Sequence, residues 1–237
     1  ASPTNHKAYC DRHGYVYLHC NWPTGAENPY MNKVAFIQSY MSLFDFLFWI
    51  DDDAFFLDID RPLDAILPTD RSFLSICASP SYKEIHTYIS SGQFAIRCNE
   101  IGLRFLEEVA STDLNEVRAW WSDDLGFFSN GDQDAMTYHL LTKYEGFYDR
   151  HPHIAFNSRA EEVIGTDWHD VFVVHFTGRP EVKHRDHSSV QRYLGRPPSL
   201  LPRPLHESLA GPSGDHSPRR TTVSLLLRAV RRRLGLR

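Results

Sequence analysis

The sequence has few cysteines and no long apolar run. Four cysteines occur in 237 residues, and none forms a CxxC pair, which disfavours a zinc ribbon and gives no support to a disulfide framework. No stretch of about 18 or more uncharged apolar residues occurs, so no membrane-spanning helix is predicted. The amino terminus lacks the basic segment and apolar core of a signal peptide. These absences indicate a globular protein of a reducing compartment, with the cytoplasm as the expected location.

Neither sign of charge is in large excess, but the charged residues are unevenly distributed along the chain. The formal net charge is −5, yet residues 219–237 hold seven arginines and no acidic residue. The part that precedes them is therefore acidic and the end is basic. No nucleic-acid partner is expected for such an acidic body.

Proline content predicts a domain boundary near residue 195. Residues 195–218 contain six of the fourteen prolines and no sustained periodicity, which is typical of a linker. The chain thus divides into a body (1–194), a linker (195–218) and a tail (219–237). The tail is predicted to form a basic amphipathic helix, which can lie on an anionic membrane surface or pack on the acidic body. The helical spacing is carried by Val223, Leu226, Leu227, Val230 and Leu234.

Apolar periodicity in the body predicts alternating strands and helices. Residues 46–50 are apolar at every position, as expected for a strand covered on both faces in a parallel sheet. Helical spacing follows Pro29 and recurs in two later segments. Strands alternating with helices indicate an α/β sandwich. Further strands are predicted at 73–78, 92–97 and 171–176. The first helical stripe consists of Tyr30, Val34, Ile37, Met41 and Phe44. The second consists of Ile101, Phe105 and Val109, and the third of Ala135 or Met136 with His139, Leu140 and Tyr144.

Three consecutive aspartates, Asp51, Asp52 and Asp53, follow the first of these strands. Ligands of open α/β sheets bind at the carboxyl ends of strands. In extended chain, Asp51 and Asp53 point to one side and Asp52 to the other. Converging carboxylates repel each other unless a cation lies between them, and a hard divalent ion suits oxygen ligands. The stretch therefore predicts a metal site, at which a nucleotide diphosphate could complete the coordination.

Other interpretations of this acidic stretch remain. Acidic residues after a strand often form a solvated turn or a helix cap. An EF-hand loop is excluded because Phe56 and Pro62 occupy the positions of the required Gly and Glu. A phosphatase of the haloacid dehalogenase type also places DxD after a strand, but a small residue is usual where Phe55 stands. The phosphatase stays as the alternative enzyme class.

Six segments, in order between residues 5 and 178, resemble a family of retaining glycosyltransferases with the GT-A fold. The family comprises fungal α-galactosyl- and α-mannosyltransferases and plant α-xylosyltransferases. The resemblance implies a Rossmann-like nucleotide-sugar transferase sandwich. The segments are NHKAYCDRHGY (5–15), PYMNKVAFIQSYM (29–41), FWIDDDAFF (48–56), SGQFAIRCNEIGLRFLEEV (91–109), GDQDAM (131–136) and VVHFTG (173–178).

The resemblance implies a metal centre and a catalytic pair. Asp51 and Asp53 would approach Mn²⁺, or Mg²⁺, directly or through water, and His175 would supply a further ligand; such an oxygen and imidazole set fits Mn²⁺. Asp52 would face away or toward the sugar. Asp132 and Gln133 would lie under the donor sugar, where the glutamine carbonyl oxygen stabilises oxocarbenium-like charge. A structural interpretation of Asp132, as the cap of a helix that begins at Gln133, is compatible with this role.

Further substrate contacts are expected around this centre. Lys33 and Gly178 would contact the donor, and Arg179 would clamp its diphosphate through two guanidinium donors. The histidines at 151–153 and 184–187 are expected on the surface or in the tail. The residues expected to bind the acceptor are Gly92, Gln93, Trp120 and Trp121, the tryptophans by stacking a sugar.

The chain also departs from the family pattern. Family members begin with an apolar strand that holds the nucleotide base, and none precedes Ala1, which implies a late start or an incomplete site. Cys98 replaces the usual Asn, although Asn99 follows, and Arg179 replaces a cysteine of the plant members, so no disulfide is expected there.

The expected function is metal-dependent, retaining transfer of a hexose or pentose from a nucleotide diphosphate, UDP being the expected nucleotide, to a saccharide or lipid-linked acceptor. The competing class is a non-catalytic carbohydrate- or metal-binding module on the same fold. The tail would hold the protein on the inner face of a membrane. If the chain is eukaryotic and lacks an amino-terminal anchor, the expected location is instead the Golgi lumen.

Overall fold

A six-stranded sheet lies at the centre of the fold. The computed structural model describes residues 1–20, 28–80 and 86–209 and the backbone of Val223–Arg228. The strand order of this sheet is β1-β8-β2-β5-β4-β6, and β3 and β7 form a separate two-stranded sheet. The strands are β1 (Val16–Cys20), β2 (Phe46–Ile50), β3 (Ala54–Phe56), β4 (Leu74–Cys77), β5 (Ser90–Arg97), β6 (Tyr148–His151), β7 (Val173–His175) and β8 (Val223–Arg228).

The sheet is mixed and largely antiparallel, so the prediction of a parallel sheet is wrong. Strand β2 pairs antiparallel with both β5 and β8, whereas β4 and β6 pair in parallel. The apolar run 46–50 was correctly assigned to a strand, and Leu47, Phe48, Trp49 and Ile50 are fully or almost fully buried. A continuous apolar run indicates that both faces of a strand are covered. A central antiparallel strand that packs against other elements on both faces has the same pattern, so the run does not determine the direction of pairing.

Helices cover one face of the large sheet. The helical segments predicted around Phe105 and Leu140 are confirmed as α3 and α5, and α2 packs beside them over a core that includes Trp49 and Phe94. The opposite face packs against α1 and the small sheet, through residues such as Tyr9, Phe56 and Phe172. The helices are α1 (Ser2–His13), α2 (Asn32–Gln38), α3 (Glu100–Ala110), α4 (Leu114–Trp120), α5 (Asp132–Thr142), α6 (Ala160–Gly165), α7 (Pro180–Leu194) and α8 (Arg203–Leu209).

The helical stripe after Pro29 is confirmed in part. A 3-10 turn at Pro29–Met31 leads into α2, and a second turn at Met41–Leu43 is separated from it. Phe44 is extended and lies beyond both. The Asn99 side chain caps α3 by accepting from Gly102 N at 2.9 Å, so the asparagine that follows Cys98 has a structural role.

The proline-rich segment after residue 195 packs partly against the body. Helix α7 ends at Gly195, which adopts the left-handed conformation (φ 62°) that favours glycine. Leu200 and Leu201 are nevertheless fully buried, and α8 follows them. Proline limits the backbone but does not prevent the residues between prolines from reaching the core. The described part of the predicted linker is therefore attached to the body; residues 210–218 lie outside the described residues.

The tail contributes a strand where a basic amphipathic helix was predicted. Strand β8 lies between β1 and β2 and pairs antiparallel with both. The physical reason is that β8 satisfies the facing backbone groups of two strands at once, which an isolated helix cannot do. The remainder of the predicted helix, at 219–222 and 229–237, lies outside the described residues. Within the described ranges, no helix combines the length and the apolarity needed to cross a bilayer.

Candidate functional site

The ends of β2 and β7 bring three potential metal ligands together. Asp51, Asp53 and His175 each offer one ligand atom, and these atoms all lie within 4.8 Å of one another. Pairing of β3 with β7 sets Ala54 opposite His175, which places the histidine beside the preceding aspartate. Asp51 is fixed by its backbone N–H, which donates to Gly92 O at 2.8 Å. The structure thus brings together the residues that the sequence predicted as a metal site.

Asp53 is the more strongly paired of the two carboxylates. Its Oδ1 lies 3.0 Å from His175 Nε2, and its Oδ2 contacts Lys183 Nζ. Burial acts to raise the pKa of Asp53, but the charges of His175 and Lys183 outweigh burial and hold the pKa well below its ordinary value. Asp53 Oδ1 is buried and receives no hydrogen bond of acceptable geometry from any described residue. This oxygen is therefore open to a cation.

The pKa of Asp51 shifts in the opposite direction to that of Asp53. Its Oδ1 accepts from Trp49 Nε1 at 2.7 Å and lies 3.7 Å from Lys33 Nζ. Burial raises the pKa of Asp51; Lys33 offsets only part of this effect, and the charge of Asp53 raises the pKa further. The charge of Asp53 thus opposes ionisation of Asp51, and a divalent ion between the two carboxylates would relieve this repulsion.

The surroundings of these residues fit a hard divalent ion. The 3.0 Å between His175 Nε2 and Asp53 Oδ1 matches the ~3.0 Å that separates two ligands at right angles around an ion with bonds of about 2.1 Å. Gly92 leaves the space open: a Cβ there would lie 2.5 Å from His175 Cε1 and 3.2 Å from Asp51 Oδ2. A mixed oxygen and imidazole set suits Mn²⁺. These observations support the predicted metal class without identifying the ion.

Two buried polar residues support the histidine: Asn157 contacts His175, and Arg159 contacts Asn157. His175 Nδ1 lies 2.9 Å from Asn157 Oδ1, which also accepts from Arg159 Nη1 at 2.7 Å. Asn157 is fully buried and Arg159 is 7% exposed. Neither residue was predicted from the sequence, because nothing in their local spacing relates them to a strand end that lies farther along the chain.

Lys33 links the metal cluster to the first turn of α5. Its ammonium lies 3.0 Å from Asp132 Oδ2 and donates to Ser91 O at 3.0 Å. Burial lowers the pKa of Lys33, but Asp132 and Asp51 outweigh this effect and the net shift is upward. Lys33 is thus a buried cation held between two aspartates, and its expected contact with the donor stays a prediction.

The predicted catalytic pair lies at the start of α5. Gln133 Oε1 accepts weakly from Ser91 N at 3.3 Å. Helix α5 begins at Asp132 itself, and Asp134 Oδ2 accepts from Gly131 N at 3.1 Å. The interpretation of Asp132 as the helix cap is therefore wrong: Asp134 stabilises this turn, which leaves Asp132 to pair with Lys33.

A cavity of about 390 Å³ connects the two groups, since Asp51, Gly92, Gln133 and His175 all line it. Arg159 also lines this cavity. Gly178, whose φ of 101° favours glycine, lines the cavity too and leads into exposed Arg179 at the start of α7. Two members of the metal cluster, Asp51 and His175, therefore face the same space as Gln133.

A second cavity, of about 560 Å³, lies on the other side of the aspartates. Asp52 and Asp53 line it together with Lys183. Asp52 thus faces away from the cavity that Asp51 lines, but Asp53 lines the second cavity beside it. The alternation expected of an extended chain is not observed, because these residues form a turn in which Ala54 N donates to Asp51 O at 3.1 Å. Lys183 was not predicted from the sequence; it lies on α7 directly before residues 184–187, whose histidines were expected on the surface or in the tail. His187 in that segment is part-buried against Phe55 and Phe176.

Of the residues expected to bind the acceptor, Gly92 lines the 390 Å³ cavity, whereas Gln93, Trp120 and Trp121 are not among the described residues that line it. Gln93 is fully buried, and Gly92 packs against the metal cluster. Trp120 packs edge-on against Tyr138, and Trp121 Nε1 donates to Gly126 O at 2.8 Å. Neither tryptophan is among the described residues that line the 390 Å³ cavity.

Phe127 lines this cavity in their place and is 56% exposed. Its loop is fixed by Phe127 N, which donates to His86 O at 2.8 Å. Gly126 has φ 86°, and a Cβ there would lie 2.0 Å from His86 O, so the loop requires glycine at this point. A single aromatic residue in a loop gives no periodic signal, so Phe127 was not predictable from the sequence.

Comparison with known proteins connects this arrangement to an enzyme fold. A scan against models of protein families gives no match, and a search of curated proteins gives none. The chain is similar in structure to a glycosyltransferase involved in the glycosylation of the major capsid of PBCV-1, with a TM-score of 0.56 and 15% sequence identity. The match covers 79% of this chain and 92% of the other. The chain therefore has an α/β fold shared with a glycosyltransferase, and the fungal and plant family stays a prediction.

Proposed function

We propose that the protein is a metal-dependent retaining glycosyltransferase that moves a sugar from a nucleotide diphosphate to an acceptor. The observation that carries the proposal is the convergence of Asp51 and His175 with Gln133 on one cavity; Asp53 completes the metal cluster from the second cavity. That convergence occurs in a fold shared with a glycosyltransferase. Fold alone does not determine activity, so the site carries the argument.

Asp51, Asp53 and His175 would hold Mn²⁺ or Mg²⁺. When bound, such an ion neutralises charge on a departing diphosphate. Lys183 pairs with the second oxygen of Asp53, which keeps the first oxygen directed at the ion. The donor diphosphate would lie near Gly178 and Arg179, because the amino-terminal end of α7 carries partial positive charge and arginine binds two oxygens at once.

Gln133 would stabilise positive charge at the anomeric carbon through its amide oxygen. This oxygen now has only a weak contact, at 3.3 Å from Ser91 N, so a substrate can replace it at small cost. Asp132 would position this turn through its ion pair with buried Lys33. Among the described residues that line the cavity, Asp51 supplies the only carboxylate. An inverting mechanism needs a carboxylate base for the acceptor hydroxyl, so this lining favours retention.

The donor is proposed to be a UDP-hexose or UDP-pentose, and the acceptor a saccharide or lipid-linked saccharide. Phe127 offers an exposed aromatic face at the cavity, on which an acceptor sugar could stack. A membrane surface is not part of the proposal, because Val223–Arg228 pair in the sheet and do not form the amphipathic helix on which that expectation depended.

The test is an assay of a panel of nucleotide sugars with and without Mn²⁺, in which release of the nucleoside diphosphate is measured. We expect Mn²⁺-dependent release from at least one donor and loss of that release in Asp53→Asn. Donor binding without turnover would contradict an enzyme and indicate a non-catalytic module. Hydrolysis of phosphate esters without sugar release would favour the phosphatase alternative.

A further inference from the structure

His175 directs its two ring nitrogens at different partners. Nε2 lies 3.0 Å from Asp53 Oδ1, whereas Nδ1 lies 2.9 Å from Asn157 Oδ1. His175 is 5% exposed and Asn157 is fully buried, so bulk water competes little for the Nδ1 contact. Whether Nδ1 carries a proton therefore depends on whether Asn157 presents its oxygen or its amide nitrogen to the ring.

Two further contacts fix the orientation of the Asn157 amide. Arg159 Nη1 can only donate, and it lies 2.7 Å from the atom assigned as Asn157 Oδ1. On the other side, Asn157 Nδ2 donates to Ala78 O at 3.2 Å. Reversing the amide would set two donors against each other at the first contact and two acceptors at the second. The oxygen therefore faces His175 and accepts from its Nδ1–H.

Arg159 is a rigid anchor for this amide. Its Nη1 also donates to Asn157 O at 2.9 Å, so one guanidinium nitrogen holds both the side chain and the backbone of Asn157. The Arg159 backbone N–H donates to Glu162 Oε2 at 2.6 Å, which fixes the start of α6. Burial lowers the pKa of Arg159 to about 10, so it remains cationic at neutral pH. Burying a cation lowers stability unless the cation is paired or hydrogen-bonded. Here the Arg159 guanidinium donates to Asn157 and orients its amide.

We infer that Asn157 is a positioning residue for His175: its side-chain oxygen, held by Arg159, keeps a proton on Nδ1 and directs Nε2 at Asp53 as a metal ligand. The inference rests on the proposed function where it assigns a metal to Nε2. Histidines that bind metals usually donate their other N–H to an oxygen, and loss of that partner weakens metal binding by about 10- to 100-fold. Neither Asn157 nor Arg159 is part of the sequence motifs that indicated the site.

The first measurement is made on the metal-free wild-type protein. Long-range ¹H–¹⁵N correlation spectra of the imidazole groups report which ring nitrogens carry protons, and His175 is assigned by the signal that His175→Gln lacks. We expect a proton on Nδ1 of His175. A bare Nδ1 would overturn the inference, and this result requires neither a metal nor a variant of Asn157.

The second measurement is the Mn²⁺ affinity of Asn157→Leu and Asn157→Asp, read from the electron paramagnetic resonance signal of free Mn²⁺. Leucine has a similar size but no oxygen, so we expect about 10- to 100-fold weaker binding. Aspartate keeps an oxygen for both Arg159 and His175 and should retain most of the affinity. Wild-type affinity in Asn157→Leu would overturn the inference. Absence of Mn²⁺ binding in the wild type would instead contradict the proposed function, and the spectra would still locate the proton.

Discussion

Gly92 lies directly against the ring of His175. A Cβ at position 92 would come within 2.5 Å of His175 Cε1, and the φ of Gly92 is not in the left-handed region. The requirement for glycine at this position is therefore one of space and not of backbone conformation. The ring cannot retreat freely, because Asn157 and Asp53 contact its two nitrogens. The close approach of β5 thus helps to shape the metal cluster.

Gly92→Ala should displace His175 and weaken Mn²⁺ binding, while the protein still folds with a loss of about 1 to 3 kcal/mol from overpacking. Mn²⁺ titration and urea unfolding measure the two effects. Gly165→Ala is the matched control, because a Cβ there meets no atom within 4 Å. Wild-type Mn²⁺ affinity in Gly92→Ala would show that the histidine does not bind the ion.

Asp51→Asn and Asp53→Asn should change the stability of the metal-free protein in opposite directions. The pKa of Asp51 is raised, so its charge opposes folding at neutral pH and the neutral amide should leave stability level or increase it. The pKa of Asp53 is lowered, so its charge favours folding, and Asp53→Asn leaves Lys183 and His175 without their partner. We expect a loss of about 1 to 3 kcal/mol for Asp53→Asn. Urea unfolding in the presence of a chelator measures both, and equal changes would contradict the assignment of the pKa directions.

His6 should make the fold sensitive to mild acid. It is fully buried, its Nε2–H donates to Ala54 O at 2.7 Å, and burial lowers its pKa to about 4. Below a pH of about 6.5 the unfolded chain takes up a proton that the folded protein resists. Stability should therefore fall as the pH drops from about 6.5 to about 4, by an amount on the order of 3 kcal/mol.

The variant His6→Gln isolates this contribution, because glutamine can donate to Ala54 O but does not titrate. Free energies of unfolding across this pH range should show a shallower dependence in the variant than in the wild type. Parallel curves for the two proteins would assign the acid sensitivity to other groups.

Gln133→Ala should lower kcat far more than it changes KM for the donor. The amide oxygen is proposed to stabilise charge that develops only in the transition state, and removal of one such dipole costs about 10²-fold in rate. Steady-state kinetics on an active donor provide the measurement, and Gln191→Ala on α7 is a control for an amide outside the cavity. A Gln133→Ala enzyme with full activity would remove Gln133 from the mechanism.

Transfer should proceed with retention, giving an α-linked product from an α-linked nucleotide sugar. The anomeric proton of the first-formed product, observed by NMR, reports the configuration directly. A β-linked product would contradict both the retaining mechanism and the resemblance to the fungal and plant transferases.

Local chemistry made part of this site predictable from sequence. Asp51 and Asp53 directly follow an apolar strand, and the motif around His175 ends a second apolar run. These are properties of short segments, so they can be recognised in the sequence without knowledge of the fold. The strands predicted at 46–50, 73–78, 92–97 and 171–176 and helices α3 and α5 were predictable for the same reason.

What the sequence did not reveal depends on contacts between distant segments. Lys183 meets Asp53 across 130 residues, and Asn157 meets His175 from a different element. The direction of strand pairing and the insertion of β8 between β1 and β2 are likewise set by neighbours in space. Apolar patterning reports burial, whereas partners are chosen by the assembled structure.

The measurement that tests the metal centre most directly is an electron paramagnetic resonance titration of Mn²⁺ with UDP present, on wild type, Asp51→Asn and Asp53→Asn. Each substitution removes a charged ligand from the cluster formed with His175. We expect the wild type to bind one Mn²⁺ with UDP-enhanced affinity, and both variants to lose that binding. Mn²⁺ binding of unaltered affinity in both variants would contradict the proposed centre and, with it, the metal-dependent transfer of sugar.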